Sequence, residues 1–140
     1  MERTIKDDNR RHIIRQEYIN DNMELQCALD DETNIVTISV RYVSELNTIN
    51  ETIFKKVGLD EYMESYYDLV RFNAMKNTVA IFNKIGTDFT LERVYDIKER
   101  SFIPEDFKDI VFHEKFAPLK LGKNLVLTNK PKGGAAYWQA

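Results

Sequence analysis

Residues 35–43 have the sequence IVTISVRYV, in which two sets of side chains alternate. One set is apolar and consists of Val36, Ile38, Val40 and Tyr42; the other contains Ile35, Thr37, Ser39 and Arg41. A period of two with many β-branched residues is typical of a β-strand. A similar run, residues 23–29, precedes it, and the linking sequence DDETN at residues 30–34 has the composition of a turn. We therefore predict a β-hairpin over residues 23–43.

After this hairpin, the apolar residues change to spacings of three and four. Such spacings predict an amphipathic helix over residues 45–57. Ser44 is placed to cap its first turn, because a serine hydroxyl accepts a hydrogen bond from a free backbone N–H there. Gly58 is placed to end it in a left-handed conformation. The apolar positions of this predicted helix are Leu46, Ile49, Ile53, Phe54 and Val57.

A second helix is predicted from Asp60 to between Asn73 and Asn77. Glu61, Met63 and Ala74 favour a helix. The Tyr, Val and Phe residues of the same stretch also suit strands, so a β-meander is the competing interpretation.

A second clear strand covers residues 89–97, where apolar and polar residues alternate again. Arg93 interrupts its apolar face, and its aliphatic stem can cover the sheet while the charged end stays in water. Before it comes the short apolar run at residues 78–82, with Gly86 in the turn between them.

The last 40 residues are rich in aromatic side chains. Pro104 suits the first turn of a helix within residues 101–116. A Tyr-Trp pair follows Gly133-Gly134, and aromatic anchors are enriched at protein interfaces. The alternative is that Trp138 folds back on its own domain. The predicted partner-binding residues of the whole chain are Tyr18, Phe107, Phe112, Phe116, Tyr137 and Trp138.

The composition is that of one ordinary globular domain. The chain has 140 residues, of which 43% are hydrophobic and 31% charged. Its 20 Lys and Arg against 23 Asp and Glu argue against nucleic acid as the main partner. No apolar run reaches the ~18 residues that a membrane-spanning helix needs, and the charged first 14 residues do not resemble a signal peptide. We expect neither a membrane span nor secretion by that route.

Residues for catalysis or metal binding are few. The chain has two histidines, His12 and His113, and they have no ligand spacing with Cys27, the one cysteine. Cys27 lies in a strand-like stretch, and a small buried hydrophobe is the ordinary interpretation. No serine has the glycine pattern of a nucleophile elbow. We therefore predict a protein that is not an enzyme, with no catalytic residue, no metal and no cofactor.

Residues 35–97 resemble a LysM-type module, which has the order strand, helix, helix, strand. The resemblance is carried by the strand 36–42, the helix opening at Ser44-Glu45-Leu46, the sequence Asn73-Ala74-Met75 and the glycine-strand sequence at residues 85–91. It implies that the amide of Asn73 stops the second helix and that Gly86 allows a turn. It also implies a core formed by Leu46, Ile49, Tyr67, Val70, Ile85 and Leu91.

The aromatic insertion at residues 59–67, with arms on both sides, resembles the small baseplate wedge proteins of contractile-tailed phages. The fold implied is α+β: a LysM-like core at residues 23–97 that includes an added N-terminal hairpin strand, an N-terminal arm at residues 1–22 and a C-terminal extension at residues 98–140. The implied function is that of a structural subunit of the virion. It would be assembled in the host cytoplasm into the tail baseplate, in several copies and in contact with other protein subunits.

Two other functions fit the same sequence. A small phage or bacterial regulator that binds and inhibits a host protein would have a similar composition. A peptidoglycan-binding module is the third alternative, but Ser44-Glu45-Leu46 replaces the Gly-Asp-Thr opening that the glycan groove of such modules uses.

Overall fold

The computed structural model describes residues 11–116, and the chain divides into two compact units, residues 1–66 and 67–140. The described residues form two four-stranded antiparallel sheets and two α-helices, so the α+β class is confirmed. Along the chain, the boundary between the units lies between Tyr66 and Tyr67, inside the predicted core of residues 23–97. Among the described residues, no helix has the length and apolar character needed to cross a membrane.

The first sheet has its strands in chain order. They are β1 (Arg11–Asn20), β2 (Met23–Asp30), β3 (Ile35–Val43) and β4 (Ile49–Gly58). The predicted hairpin is confirmed as β2 and β3, and Asn34 takes the left-handed conformation in their turn, with φ of 59°. β1 lies within the predicted arm of residues 1–22, where it pairs with β2 over its whole length.

The predicted helix at residues 45–57 is wrong, because most of this stretch is β4, paired with β3. Ile49 and Ile53 lie on one face of the strand, as a period of two requires. A β-bulge then inserts Phe54, and the fully buried Phe54 is followed three residues later by the buried Val57. The bulge thus converts a strand pattern into spacings of four and three, which imitate a helix.

The predicted roles of Ser44 and Gly58 change with that correction. The Ser44 hydroxyl accepts hydrogen bonds from the backbone N–H groups of Leu46 and Thr48, both at 3.3 Å, so it closes the β3–β4 turn and caps no helix. Asn47, with φ of 66°, supplies the left-handed residue of this turn. Gly58 is the last residue of β4, and its φ is not positive.

The second predicted helix is confirmed in its first part, as α1 (Leu59–Leu69). Asp60 and Glu61 lie in its first turn, where carboxylates interact favourably with the helix dipole. Ser65 leaves the helical conformation, with φ of −131° and ψ of 16°. The helix ends earlier than predicted, because Val70–Phe72 forms strand β5, as the competing interpretation allowed.

The second sheet also has its strands in chain order: β5, β6 (Thr78–Ile85), β7 (Asp88–Asp96) and β8 (Ser101–Phe102). The predicted strand at residues 89–97 is confirmed as β7. Its predicted single apolar face is wrong, because a bulge at Glu92 places Leu91 and Arg93 on opposite faces of the sheet. Gly86 lies in the β6–β7 turn with φ of 63°, a conformation that a side chain with a β-carbon resists.

Asn73 stops no helix, so that prediction is wrong; its amide instead bonds the backbone of a loop. Its Oδ1 accepts hydrogen bonds from the N–H groups of Asn77 and Thr78, both at 3.0 Å. Its Nδ2 donates to Oδ1 of Asn77 at 2.7 Å. The buried Asn73 therefore closes the connection from β5 to β6.

The predicted C-terminal helix is present as a 3₁₀ turn (Glu105–Phe107) followed by α2 (Lys108–Phe116). Pro104 immediately precedes the first turn. Phe112 of α2 contacts Phe82 of β6 edge to face, with ring centroids 5.6 Å apart. β8 and α2 belong to the predicted extension of residues 98–140.

The packing implied by the resemblance is largely wrong. The resemblance implied a core of six residues, of which Val70 is buried and Leu91 is half-buried. The others lie at turns, strand ends or the exposed side of α1; these exposed residues are Leu46, Ile49, Tyr67 and Ile85. In the first unit the core instead contains Leu25, Cys27, Val36, Ile38, Val40 and Phe54, and in the second Val79, Ile81, Val94 and Tyr95.

Candidate interaction surface

The two faces of the first sheet differ in burial and in chemistry. Because directly paired residues share a face, the register places Leu25 and Val40 on one face, and Glu24 and Arg41 on the other. The face of Leu25 is fully buried at its centre. We call it the inner face, and the face of Glu24 and Arg41 the outer face.

Polar residues form the centre of the outer face. Gln26 and Ser39 are paired there and are both buried, which is unusual for side chains of this kind. Their polar atoms are satisfied by neighbours. The Ser39 hydroxyl donates to Oε2 of Glu51 at 2.8 Å, and Nη1 of Arg41 donates to Oε1 of Gln26 at 3.3 Å. These bonds fix the side chains that form the floor of the outer face.

Large apolar side chains surround this polar centre and are exposed. Tyr18 of β1 is 73% exposed, Ile49 of β4 is 64% exposed and Val43 of β3 is 48% exposed. Ile13 and Ile53, also exposed, lie toward the other end of the same face. An isolated exposed apolar side chain is normal, but five on one sheet face are a feature of interaction surfaces.

Two open clefts lie on this face. The large cleft has a volume of about 440 Å³, and its wall combines Tyr18, Val43 and Ile49 with the polar Glu24 and Arg41. The small cleft, about 180 Å³, lies toward Arg11, Ile53 and Lys56. A concave site with apolar walls and a few polar groups is the usual form of a binding site.

Among residues 11–116, Glu24 is the one residue of the large cleft that has a buried polar side-chain atom without a hydrogen-bond partner. Its Oε2 is buried and accepts no hydrogen bond from the described residues. In the register it lies between Tyr18 and Arg41. Since a buried carboxylate oxygen without a donor is unfavourable, this atom suits a positively charged or hydrogen-bonding group of a partner.

The inner face contains the chain's cysteine within a cluster of tyrosines. The hydroxyls of Tyr62 and Tyr66, both from α1, hydrogen-bond the Cys27 thiol. Arg15 Nε donates to the Tyr62 hydroxyl at 2.8 Å, and the guanidinium of Arg15 lies 4.1 Å from the centre of the Tyr66 ring. Arg15 therefore joins β1 to the helix through a hydrogen bond and a cation–π contact.

This cluster disfavours a reactive thiolate. Desolvation raises the pKa of the Cys27 thiol from 9.0 to about 11, and the tyrosine hydrogen bonds and the Arg15 charge lower it by less. Desolvation likewise raises the pKa of Tyr62 and of Tyr66. Because a thiolate, not a thiol, attacks a substrate, Cys27 at neutral pH is a structural residue.

The structure places the predicted partner-binding residues in different environments. Tyr18 lies on the outer face, at the large cleft. Phe107 is exposed beside α2, whereas Phe112 and Phe116 are half-buried, with ring centroids 4.7 Å apart. Tyr18 therefore does not belong to the same unit as the phenylalanines. Tyr137 and Trp138 lie outside the described residues.

Most of the outer face was not predicted from the sequence. Ile49 and Ile53 were predicted to lie on the apolar face of a helix over residues 45–57, so their pairing with β3 was not predicted. Val43 and Arg41 are on the side of β3 opposite the predicted apolar set. The sequence had no signal that separates the two interpretations here, because Ile49 and Ile53 are four residues apart, a spacing that a helix and a strand share.

No group of His, Cys, Asp or Glu side chains within residues 11–116 is arranged to hold a metal ion. Comparison with known proteins finds no matching family model, no similar curated protein and no similar solved structure.

Proposed function

We propose that this chain is not an enzyme and acts by binding other proteins, as a structural subunit of the tail baseplate of a contractile-tailed phage. It would be assembled in the host cytoplasm and be present in several copies in a symmetric virion part. The baseplate assignment comes from the resemblance of the sequence to wedge proteins. The LysM-like arrangement contributes nothing to it, since residues 49–58 are a strand where that arrangement has its first helix.

The observation that carries the protein-binding role is the outer face of the first sheet. It combines exposed apolar side chains, a polar floor and two clefts on one surface. Protein interfaces have this composition, with apolar and aromatic residues around a few hydrogen-bonding groups. Apolar side chains such as Tyr18 and Ile49 contribute little to the folding free energy while they stay exposed to water. Their exposure on one surface therefore supports a role in binding.

The buried state of Cys27 supports the non-enzymatic part of the proposal. A catalytic cysteine needs a lowered pKa and access to a substrate. Here the thiol is fully buried and its pKa is raised to about 11.

The test is the amount of this protein in purified virions, measured by quantitative mass spectrometry. A baseplate subunit should be present at a fixed number of copies per particle. Ile49→Lys should lower its incorporation at least about tenfold, since a charge would enter the interface. The matched control is Ile85→Lys, because Ile85 is similarly exposed, at 60%, in the second sheet.

Two results would contradict the proposal. A protein that is absent from virions but recovered with one host protein would be a regulator of that host protein. Equal incorporation of both variants would remove the outer face from the interface. Thermal unfolding of each variant checks that neither substitution acts through folding.

A further inference from the structure

Strand β1 forms one edge of the first sheet. It pairs with β2, and among residues 11–116 no strand lies on its other side. The backbone N–H and C=O groups on such an edge can pair with another strand, so a long edge is a template for association. Bulges interrupt β1 at Ile14 and Ile19 and leave a regular stretch at residues 15–18 between them. β4, the other edge strand, has its bulge at Phe54, near its middle, which makes it the less regular edge.

The side chains of this regular stretch are complementary to those of a second copy of the same strand. In an antiparallel pair related by a two-fold axis, the residue at the axis faces itself, and the residues before and after it face each other. With Gln16 at the axis, Arg15 of each copy therefore lies opposite Glu17 of the other. Opposite charges in such cross-strand pairs are stabilising, and like charges are destabilising. An axis at Arg15 or at Glu17 would instead place a charge opposite its own copy.

The neighbouring side chains favour the same register. The next position brings Ile14 of one copy beside Tyr18 of the other, and these side chains are 39% and 73% exposed. An aromatic residue beside a β-branched one is a favourable cross-strand pair, and the contact removes apolar area from water. Arg15 is compatible with this arrangement, because a guanidinium has five N–H donors and can bind a carboxylate while its Nε keeps the bond to Tyr62.

We propose that two copies of this chain associate through β1, antiparallel and with Gln16 at the two-fold axis, so that their first sheets join into one sheet of eight strands. The outer faces of the two copies would then be continuous, because a two-fold axis perpendicular to the sheet keeps each face on its own side. This inference goes beyond the proposed function and does not depend on it. The edge of β1 pairs the two copies, and the outer face is left for other proteins.

Charge substitutions at the axis test this association in the full chain. Gln16→Lys places two ammonium groups opposite each other, and Gln16→Glu places two carboxylates there. Sedimentation velocity should show a concentration-dependent dimer for the wild type, and an association constant at least about tenfold lower for each variant alone. An equal mixture of the two variants should restore the dimer, because opposite charges then meet at the axis. Recovery in the mixture also shows that both variants are folded.

A disulfide at the axis tests the register. The two copies of residue 16 would have the Cα separation of about 4.5–5.5 Å that paired residues have, which a disulfide can span. Gln16→Cys should therefore form a disulfide-linked dimer under mild oxidation. Tyr18→Cys is the matched control, because Tyr18 is exposed on the same strand. Its two copies would lie four positions apart, roughly 13 Å along the strands, too far for a disulfide. The buried Cys27 does not compete.

The inference is overturned if the wild type sediments as a monomer up to a concentration of about 1 mM. It is also overturned if both charge variants dimerise like the wild type, or if their mixture stays monomeric while circular dichroism shows both to be folded. Cross-linking at residue 18 as readily as at residue 16 would exclude the register. These outcomes are separable from those of the virion experiment. Incorporation of a chain that does not dimerise overturns only this association, and a dimer that is absent from virions overturns only the baseplate function.

Discussion

Loss of the proton from the Cys27 thiol is coupled to the folding of the first unit. Its thiol is fully buried, and burial holds its pKa at about 11, against 9.0 for an ordinary thiol. An unfolded chain therefore releases this proton at a lower pH than the folded chain does. Between these two values the folded state binds more protons, so its stability must fall as the pH rises. The stabilisation is fully present below about pH 9.

We predict that replacing Cys27 with alanine makes the alkaline loss of stability shallower. One proton held only by the folded state changes the free energy of unfolding by about 1.4 kcal/mol per pH unit. Urea unfolding between about pH 8 and pH 10.5 measures this slope for the wild type and for Cys27→Ala. Part of the slope remains in both proteins, because the pKa values of Tyr62 and Tyr66 are also raised. Equal slopes would mean that the thiol titrates normally in the folded state.

At the scale of single elements, the clear alternations were predicted and the interrupted ones were not. β3 has a uniform period of two, so its sequence determines which side chains share a face. β7 was predicted as a strand, but a bulge at Glu92 places Leu91 and Arg93 on opposite faces, where the sequence alternation predicted one face. β4 has a bulge at Phe54, and a bulge changes the period locally without leaving a separate signal in one sequence. β5 is only three residues long and directly follows α1, so neither propensity nor period can separate the two.

The two turn glycines provide a test of these assignments. Gly86 has a φ of 63° and Gly58 does not have a positive φ, although the sequence suggested a turn or helix end at both. We predict that Gly86→Ala lowers the free energy of unfolding by about 1 kcal/mol, because an alanine is strained in that conformation. A β-carbon meets nothing within 4 Å at either position, so crowding does not enter the comparison.

Gly58→Ala is the control for that substitution. At this position alanine should be neutral or slightly stabilising, since it restricts the unfolded chain without straining the folded one. Chemical denaturation of the two variants measures both effects. A larger loss at Gly58 than at Gly86 would contradict the assignment of residue 58 to the end of β4.

At the scale of the whole molecule, the sequence predicted the α+β class but not the division into two units. Both sheets are meanders, in which strands that follow one another in the chain are paired. Such pairing can be predicted from the order of the strands in the sequence. The boundary lies inside α1, after the non-helical Ser65, and the sequence there has neither the glycine nor the proline that commonly marks a linker. The outer face was missed for a related reason, since recognising it required the correct pairing of β4.

The existence of two sheets with their own buried residues leads to a prediction for local stability. Ile38 is fully buried in the first unit and Ile81 in the second. Truncation of a buried isoleucine to alanine costs about 2–5 kcal/mol. We expect Ile38→Ala to lower the hydrogen-exchange protection of β2 and β3 more than that of β6 and β7. Ile81→Ala should have the reverse effect, because a substitution destabilises most the cooperative unit that contains it. Amide exchange followed by mass spectrometry measures both. Equal loss of protection in the two sheets with either variant would mean that the units unfold only together.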